Sequence, residues 1–254
     1  MPFSPRQSIE QFQLVFLRAL AAKGEDKSLI VLKGGCNLRF FLGSARFSED
    51  VDFDVRSIRR ETLQNKVNRL LQSPLVTAPL KTLGMDVVDM STPKQTDTTQ
   101  RWKLGLRVRG VGVPLRTKIE FSRRDTIEGS AFERVDRGLL QPYGLTPFLA
   151  THYTAHAAIA QKIVALAGRS EPQARDVFDA SHLFARADSV GVRLSPTQRR
   201  SVPAAIENAS GVTYDGFRSK VVAFLDPEQA DLFGSETVWN EMQDAVLARL
   251  DELR

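Results

Sequence analysis

The stretch KGGCNLRFFLGSARFSEDVDFDV, residues 33–55, constrains this chain more than any other. Asp50, Asp52 and Asp54 take every second position, with Val51, Phe53 and Val55 between them. Successive side chains of a strand point to opposite faces. The spacing therefore predicts a strand with three carboxylates on one face and three apolar residues turned to a core. Asp is a poor strand former and neighbouring carboxylates repel, so two readings stand. One is an edge strand with a wet acidic face. The other is a site for a hard cation such as Mg²⁺, which takes its oxygens from one or two carboxylates plus substrate phosphates.

The residues upstream favour the second reading. An apolar run from Leu29 to Leu32 ends in Lys33, Gly34 and Gly35. A short buried strand running into paired glycines lets backbone approach a ligand closely, and N–H groups in such a turn attract phosphate. CNLRFFLG follows, enough for a short helix closed by Gly43. Phosphate-accepting turn, helix and carboxylate strand together make a nucleotide site. Ser48, two residues before Asp50, either caps the turn or touches a phosphate.

The arrangement resembles the polymerase-β-type nucleotidyltransferases, in which a paired small-residue turn precedes Asp-x-Asp/Glu. The fuller pattern KGG…LRF…RFSEDVDFDV resembles the AbiEii-like nucleotidyltransferases, many of them toxins of bacterial toxin–antitoxin pairs. A second block, AIAQKIVALAGRSEPQARDVFDASHL at residues 158–183, matches that family's helical lysine and Arg-Asp-x-x-Asp element through Lys162, Arg175, Asp176 and Asp179. The resemblance implies an α+β fold: a nucleotidyltransferase core with a mixed sheet over residues 1–145, then a helical C-terminal domain over 146–254 that closes the cleft. It implies an NTP substrate and one or two Mg²⁺ held by Asp50 and Asp52. Lys33, Gly34, Gly35, Ser48 and Lys162 then serve the nucleotide. Glu120, a lone acid among basic residues, reads by itself as a salt-bridge partner; the resemblance instead places it, where many relatives carry Asp, on a strand beside the Asp-x-Asp strand, with Glu120 or Asp176 the base or the residue that completes the metal site.

The rest of the chain fits this layout. SIEQFQLVFLRALAAKG predicts an amphipathic helix with Ser8 as N-cap and Gly24 as stop. A polar helix is expected from about Arg59 to Gln72, followed by strands in MDVVDMS, RWKLGLRVRG and LRTKIEFSR. EGSAFERVDRGLLQPYGLTP has turn composition and reads as a linker, and beyond Thr146 the periodicity is helical. No apolar run approaches the ~20 residues of a membrane span, and the N-terminus lacks the pattern of a signal peptide. The one cysteine, Cys36, suits a reducing cytoplasm and reads as an inert small residue beside the turn. His152 and His156 stand four apart on an expected helix, but without a following Glu or a nearby cysteine they read as a non-ligand pair.

Charge is concentrated in the middle strands. Between Arg101 and Arg124 eight basic residues stand against Glu120 alone, while the whole chain carries +5. Alternation turns Trp102, Leu104, Leu106 and Val108 inward and Arg101, Lys103, Arg107 and Arg109 outward together. A solvated face is the ordinary reading of surface charge, but one-signed charge of this density favours a polyanion surface, with Arg107 and Arg109 as acceptor contacts. Few aromatic residues interleave, so a structured RNA fits better than base stacking along a single strand.

The second block adds a buried-cation question. At about 100° per residue, Ala155, Ile159, Lys162, Leu166 and Arg169 share one helix direction, which places two cations in an apolar stripe. Either Lys162 snorkels to water or the stripe faces a cleft and offers Lys162 to a triphosphate. Arg175 and Asp179 have the spacing of a surface i,i+4 pair.

The expected function is a Mg²⁺-dependent transfer of a nucleoside monophosphate from an NTP to a macromolecular acceptor, RNA and specifically tRNA, by a cytoplasmic toxin with a cognate antitoxin and no membrane contact. The alternatives are a protein-modifying nucleotidyltransferase or kinase-like enzyme on the same fold, and a non-catalytic nucleotide- or RNA-binding module.

Overall fold

The computed structural model describes residues 3–22 and 24–254. The chain divides into two units: the segment up to Gly43 with Phe47–Tyr153, and Ser44–Arg46 with Thr154–Arg254.

The first unit is built on a seven-stranded mixed sheet in the order β3-β4-β5-β2-β1-β7-β6. Helix α1 (Pro5–Ala22) leads into β1 (Ile30–Lys33), α2 (Gly34–Phe40) and β2 (Asp50–Val55). Helices α3 (Arg60–Gln72) and α4 (Pro74–Thr82) precede the long strands β3 (Met85–Gln95), β4 (Thr99–Val108) and β5 (Leu115–Arg123). Strand β6 (Ser130–Arg134), the single-turn α5 (Arg137–Leu140) and β7 (Leu149–Tyr153) complete it. β2 runs antiparallel to β1 and parallel to β5, which places it inside the sheet. The edge-strand reading of the acidic stretch therefore fails.

One face of the sheet is the core. Val51, Phe53 and Val55 of β2, Trp102, Leu104 and Leu106 of β4, and Ile119 and Phe121 of β5 are buried with Phe12 and Phe16 of α1 and Leu63, Val67 and Leu70 of α3. The rings of Phe53 and Phe121 stack at 4.8 Å, and Trp102 meets Phe121 edge-on. The alternation read from β2 and β4 thus survives in three dimensions, because a strand with one apolar face has a single register that buries it.

Four expectations shift. Ser4, not Ser8, caps α1: its hydroxyl accepts from the Gln7 N–H while Gln7 Oε1 accepts from the Ser4 N–H, with Pro5 opening the helix. Ser8 lies inside the helix and donates to the Ser4 carbonyl. The stretch read as a linker contains β6, whose mostly exposed residues show no apolar alternation because it is an edge strand. His152 lies on β7 rather than a helix: it stacks on Phe41 and its Nδ1 lies 2.9 Å from Asn37 Oδ1. Because β7 belongs to the sheet, the first unit runs through Tyr153, past the boundary at 145/146 that the sequence suggested.

The second unit is helical: α6 (Ala155–Ala167), α7 (Ala174–Phe184), α8 (Pro196–Arg200), α9 (Val202–Ser210), α10 (Tyr214–Lys220), α11 (Pro227–Phe233) and α12 (Glu236–Asp251). Phe178, Phe217 and Trp239 anchor its core, with Phe217 stacked on Trp239 at 4.6 Å. No described helix is long and apolar enough to cross a membrane.

Candidate active site

The face of the sheet opposite the core carries the carboxylates. The strands align Lys33 with Asp52, Asp52 with Glu120, and Glu120 with Arg101, so four charged residues of β1, β2, β5 and β4 form one row. The next row aligns Asp50 with Lys118 and Lys118 with Lys103. The third carboxylate expected on a neighbouring strand is thus directly beside Asp52.

Their partners differ. Asp50 Oδ2 is 2.9 Å from Lys118 Nζ, and Glu120 Oε2 accepts from Arg101 Nε at 2.6 Å. Asp54 is buried and fully engaged: Oδ1 accepts from Lys33 at 2.6 Å and faces Arg124 Nε at 3.2 Å, while Oδ2 accepts from the Tyr153 hydroxyl at 2.9 Å. Among the described residues no hydrogen bond or ion pair reaches the Asp52 carboxylate. Burial holds its carboxyl above the ordinary value; Lys118 pulls it down, and Asp50 pushes it further up. A partly buried carboxylate short of positive charge, beside a second carboxylate, fits a bound cation. The described residues gather no set of three metal-ligating side chains. Two carboxylate ligands with the remaining positions left to substrate and water is the pattern Mg²⁺ favours.

The glycine turn shapes this site directly. Gly34 has φ +68°, and a Cβ placed on it would lie 3.1 Å from Asp52 Oδ2. Glycine thus supplies the left-handed backbone and the room for the carboxylate at once. The paired glycines form the first turn of α2 itself, with Lys33 at the N-cap position. The Ser48 hydroxyl donates to the Asp50 carbonyl at 2.9 Å, which is the turn-capping reading of that residue. The Cys36 thiol donates to the same carbonyl at 3.2 Å. Burial pushes that thiol well up, so it stays protonated.

In the helical unit, Lys162 is not snorkelling. Its Nζ lies 2.6 Å from Asp179 Oδ2 and 3.0 Å from Asp176 Oδ1. Arg46 binds both oxygens of Asp179 at 3.0–3.1 Å, and Arg169 Nε lies 2.9 Å from Asp176 Oδ2. Asp179 is fully buried, so the surface pair with Arg175 is not formed. Despite burial, Arg46 and Lys162 lower the Asp179 carboxyl to about 2, and Lys162 with Arg169 holds Asp176 below its ordinary value.

The chain matches, over residues 15–244, the family described as "Nucleotidyl transferase AbiEii toxin, Type IV TA system". The chain belongs to the AbiEii nucleotidyltransferase toxin family. It is a nucleotidyltransferase, and a nucleotide is its substrate. Solved structures share the fold at low identity. JHP933 from Helicobacter pylori is 18% identical, with 99% of this chain and 96% of that one covered and a TM-score of 0.61. A putative nucleotidyltransferase from H. pylori is 18% identical, with 97% and 96% covered and a TM-score of 0.60. MenT4, a nucleotidyltransferase toxin from Mycobacterium tuberculosis, is 19% identical, with 98% and 85% covered and a TM-score of 0.63. A comparison with curated proteins finds no match.

The basic strand lies on the carboxylate side of the AbiEii sheet. Arg101, Lys103 and Arg107 of β4 alternate with the buried Trp102, Leu104 and Leu106, so they share the face of Glu120 and Asp52, and Arg109 follows just past the end of the strand. Among the described residues, four of the eight cations are neutralised: Arg101 by Glu120, Arg116 by Asp89, Lys118 by Asp50 and Arg124 by Asp54. Lys103, Arg107 and Arg109 are exposed.

Sequence reasoning missed Arg46, Lys118 and Tyr153. Lys118 had a signal, since it alternates with Glu120 on the same strand. Arg46 and Tyr153 are joined to Asp179 and Asp54 across 133 and 99 residues, and no local pattern announces such pairs.

Proposed function

We propose that this AbiEii-family enzyme transfers a nucleoside monophosphate from an NTP to an RNA acceptor, tRNA, and does so with Mg²⁺. The observation that carries the metal reading is the unpartnered Asp52 carboxylate beside Asp50. Those two residues would hold one or two ions, which when bound supply charge neutralisation at the phosphates and a lowered pKa for the attacking hydroxyl. Gly34 and Gly35, preceded by Lys33, present close backbone to the phosphates, and Ser48 steadies the loop before Asp50 through its carbonyl. Lys162, oriented by Asp176 and Asp179, is a fixed cation suited to a phosphate. Glu120 takes the acceptor's proton or completes the metal site; it stands beside Asp52, whereas Asp176 is buried with both oxygens in ion pairs.

The exposed Lys103 and Arg107 on β4 and Arg109 just beyond it support the RNA reading, because among the described residues they have no ion-pair partner and form a run of positive charge suited to phosphates. A cognate antitoxin and a cytoplasmic setting follow from the family's toxin role. Purified protein, Mg²⁺ and each α-labelled NTP in turn, with pooled tRNA or total protein as acceptor, tests the whole reading. Label in tRNA is expected; label in protein alone overturns the RNA acceptor, and no transfer from any NTP overturns the activity.

A further inference from the structure

The row that aligns Lys33 with Asp52 raises a problem for a cation site. Backbone register places a lysine directly across from the carboxylate that a metal would need. An ammonium paired with Asp52 would compete with any metal for the same oxygens. The structure does not make that pair. Lys33 Nζ instead bonds Asp54 Oδ1 at 2.6 Å, two residues along the strand. Asp54 is fixed in turn by the Tyr153 hydroxyl on Oδ2 at 2.9 Å and by Arg124 Nε at 3.2 Å.

We infer that Asp54 and Tyr153 are positioning residues that hold Lys33 away from Asp52 and so keep the Asp52 carboxylate open for a divalent cation. This rests on the reading that Asp50 and Asp52 bind Mg²⁺. It goes beyond that reading by giving the third aspartate of the alternating strand a task that is neither metal ligation nor catalysis. The chemistry is a choice between two anions. Asp54 wins the ammonium because it is buried, where ion pairs are less screened, and because a tyrosine hydroxyl has already oriented it. Without the Asp54 charge, Lys33 has Asp52 as its cross-strand neighbour and turns to it.

Mn²⁺ binding to the full-length protein without nucleotide or acceptor, followed by electron paramagnetic resonance, reads this without activity. Asp54→Asn should weaken Mn²⁺ affinity by about tenfold, the scale of one competing charge pair in a partly buried site. The Asp54→Asn change also removes a nearby negative charge, so two double variants separate the causes. Asp54→Asn with Lys33→Met and Asp54→Asn with Arg124→Met have the same net charge. Only the first should recover wild-type affinity, because only Lys33 lies across from Asp52. Equal recovery in both overturns the inference in favour of a general field, as does unchanged affinity in Asp54→Asn. If Asp54→Asn does not fold, Tyr153→Phe keeps the Asp54 charge but drops the hydroxyl, and should weaken Mn²⁺ by about threefold; unchanged affinity there overturns it equally. A wild-type protein that binds no Mn²⁺ removes the metal reading itself, and the positioning role falls with it.

Discussion

Replacing Lys162 with alanine separates what the helix pattern alone suggests from what the folded unit does. As a cation in an apolar stripe, Lys162 looks costly, and alanine, the better helix former by a few tenths of a kcal/mol, should hold or raise stability. The folded unit reverses that sign. Lys162 lies between two buried carboxylates at 2.6 and 3.0 Å. Removing one partner of a buried ion pair costs about 3–5 kcal/mol. Here Arg46 stays with Asp179 and Arg169 with Asp176, so a loss of about 2–3 kcal/mol is expected. For a chain of this size that lowers Tm by about 5–10 °C. Lys162→Met, which keeps most of the stem, should lose nearly as much, since charge and not packing is at stake. Transfer from α-labelled NTP should fall about a hundredfold in both variants, the scale of removing one preorganised electrostatic donor. Acid response gives a second readout. The Asp179 carboxyl is depressed to about 2 in the folded protein, so its contribution is complete above its unfolded value of roughly 3.9 and is lost as pH falls through the folded one. Without Lys162 that depression shrinks, and acid unfolding should begin at higher pH. Melting curves and acid titrations of wild type and variants measure both. A Tm that holds or rises in Lys162→Ala refutes the ion-network argument, and full transfer activity removes Lys162 from the nucleotide's phosphates.

Other perturbations test the sheet. Asp50→Asn with Asp52→Asn should abolish metal-dependent NTP binding by calorimetry while leaving Tm nearly unchanged, because among the described residues Asp52 has no partner to lose and Asp50 gives up only its partly exposed ion pair with Lys118; unchanged metal-dependent affinity refutes the assignment. Gly34→Ala forces a side chain onto φ +68° and a Cβ to 3.1 Å from Asp52 Oδ2. It should cost about 1–2 kcal/mol in backbone strain, and Mn²⁺ binding should weaken more than stability does. Arg107→Glu with Arg109→Glu should weaken tRNA binding and flatten its salt dependence by several counterions, read by filter binding across a salt series; an unaltered slope places the acceptor elsewhere.

Much of the site could be read from local chemistry. Alternation of Asp50, Val51, Asp52 and Phe53 dictates one wet and one buried face, because strand geometry alone sends neighbours to opposite sides. The glycine pair after an apolar run, and the inward Trp102, Leu104 and Leu106 between outward cations, are signals of the same short range. Period and turn chemistry act over a few residues, so they are visible in the chain. What pairs with what is not. Asp50, Asp52 and Asp54 are equivalent in the sequence, yet the fold gives the first to Lys118, the last to Lys33, Arg124 and Tyr153, and leaves the middle one open. Lys162 reads as a misplaced cation until Asp176 and Asp179 of the next helix, and Arg46 from a distant loop, surround it. Those assignments depend on strand order and on burial, since the sheet decides which residues meet and removal from water makes their charges decisive.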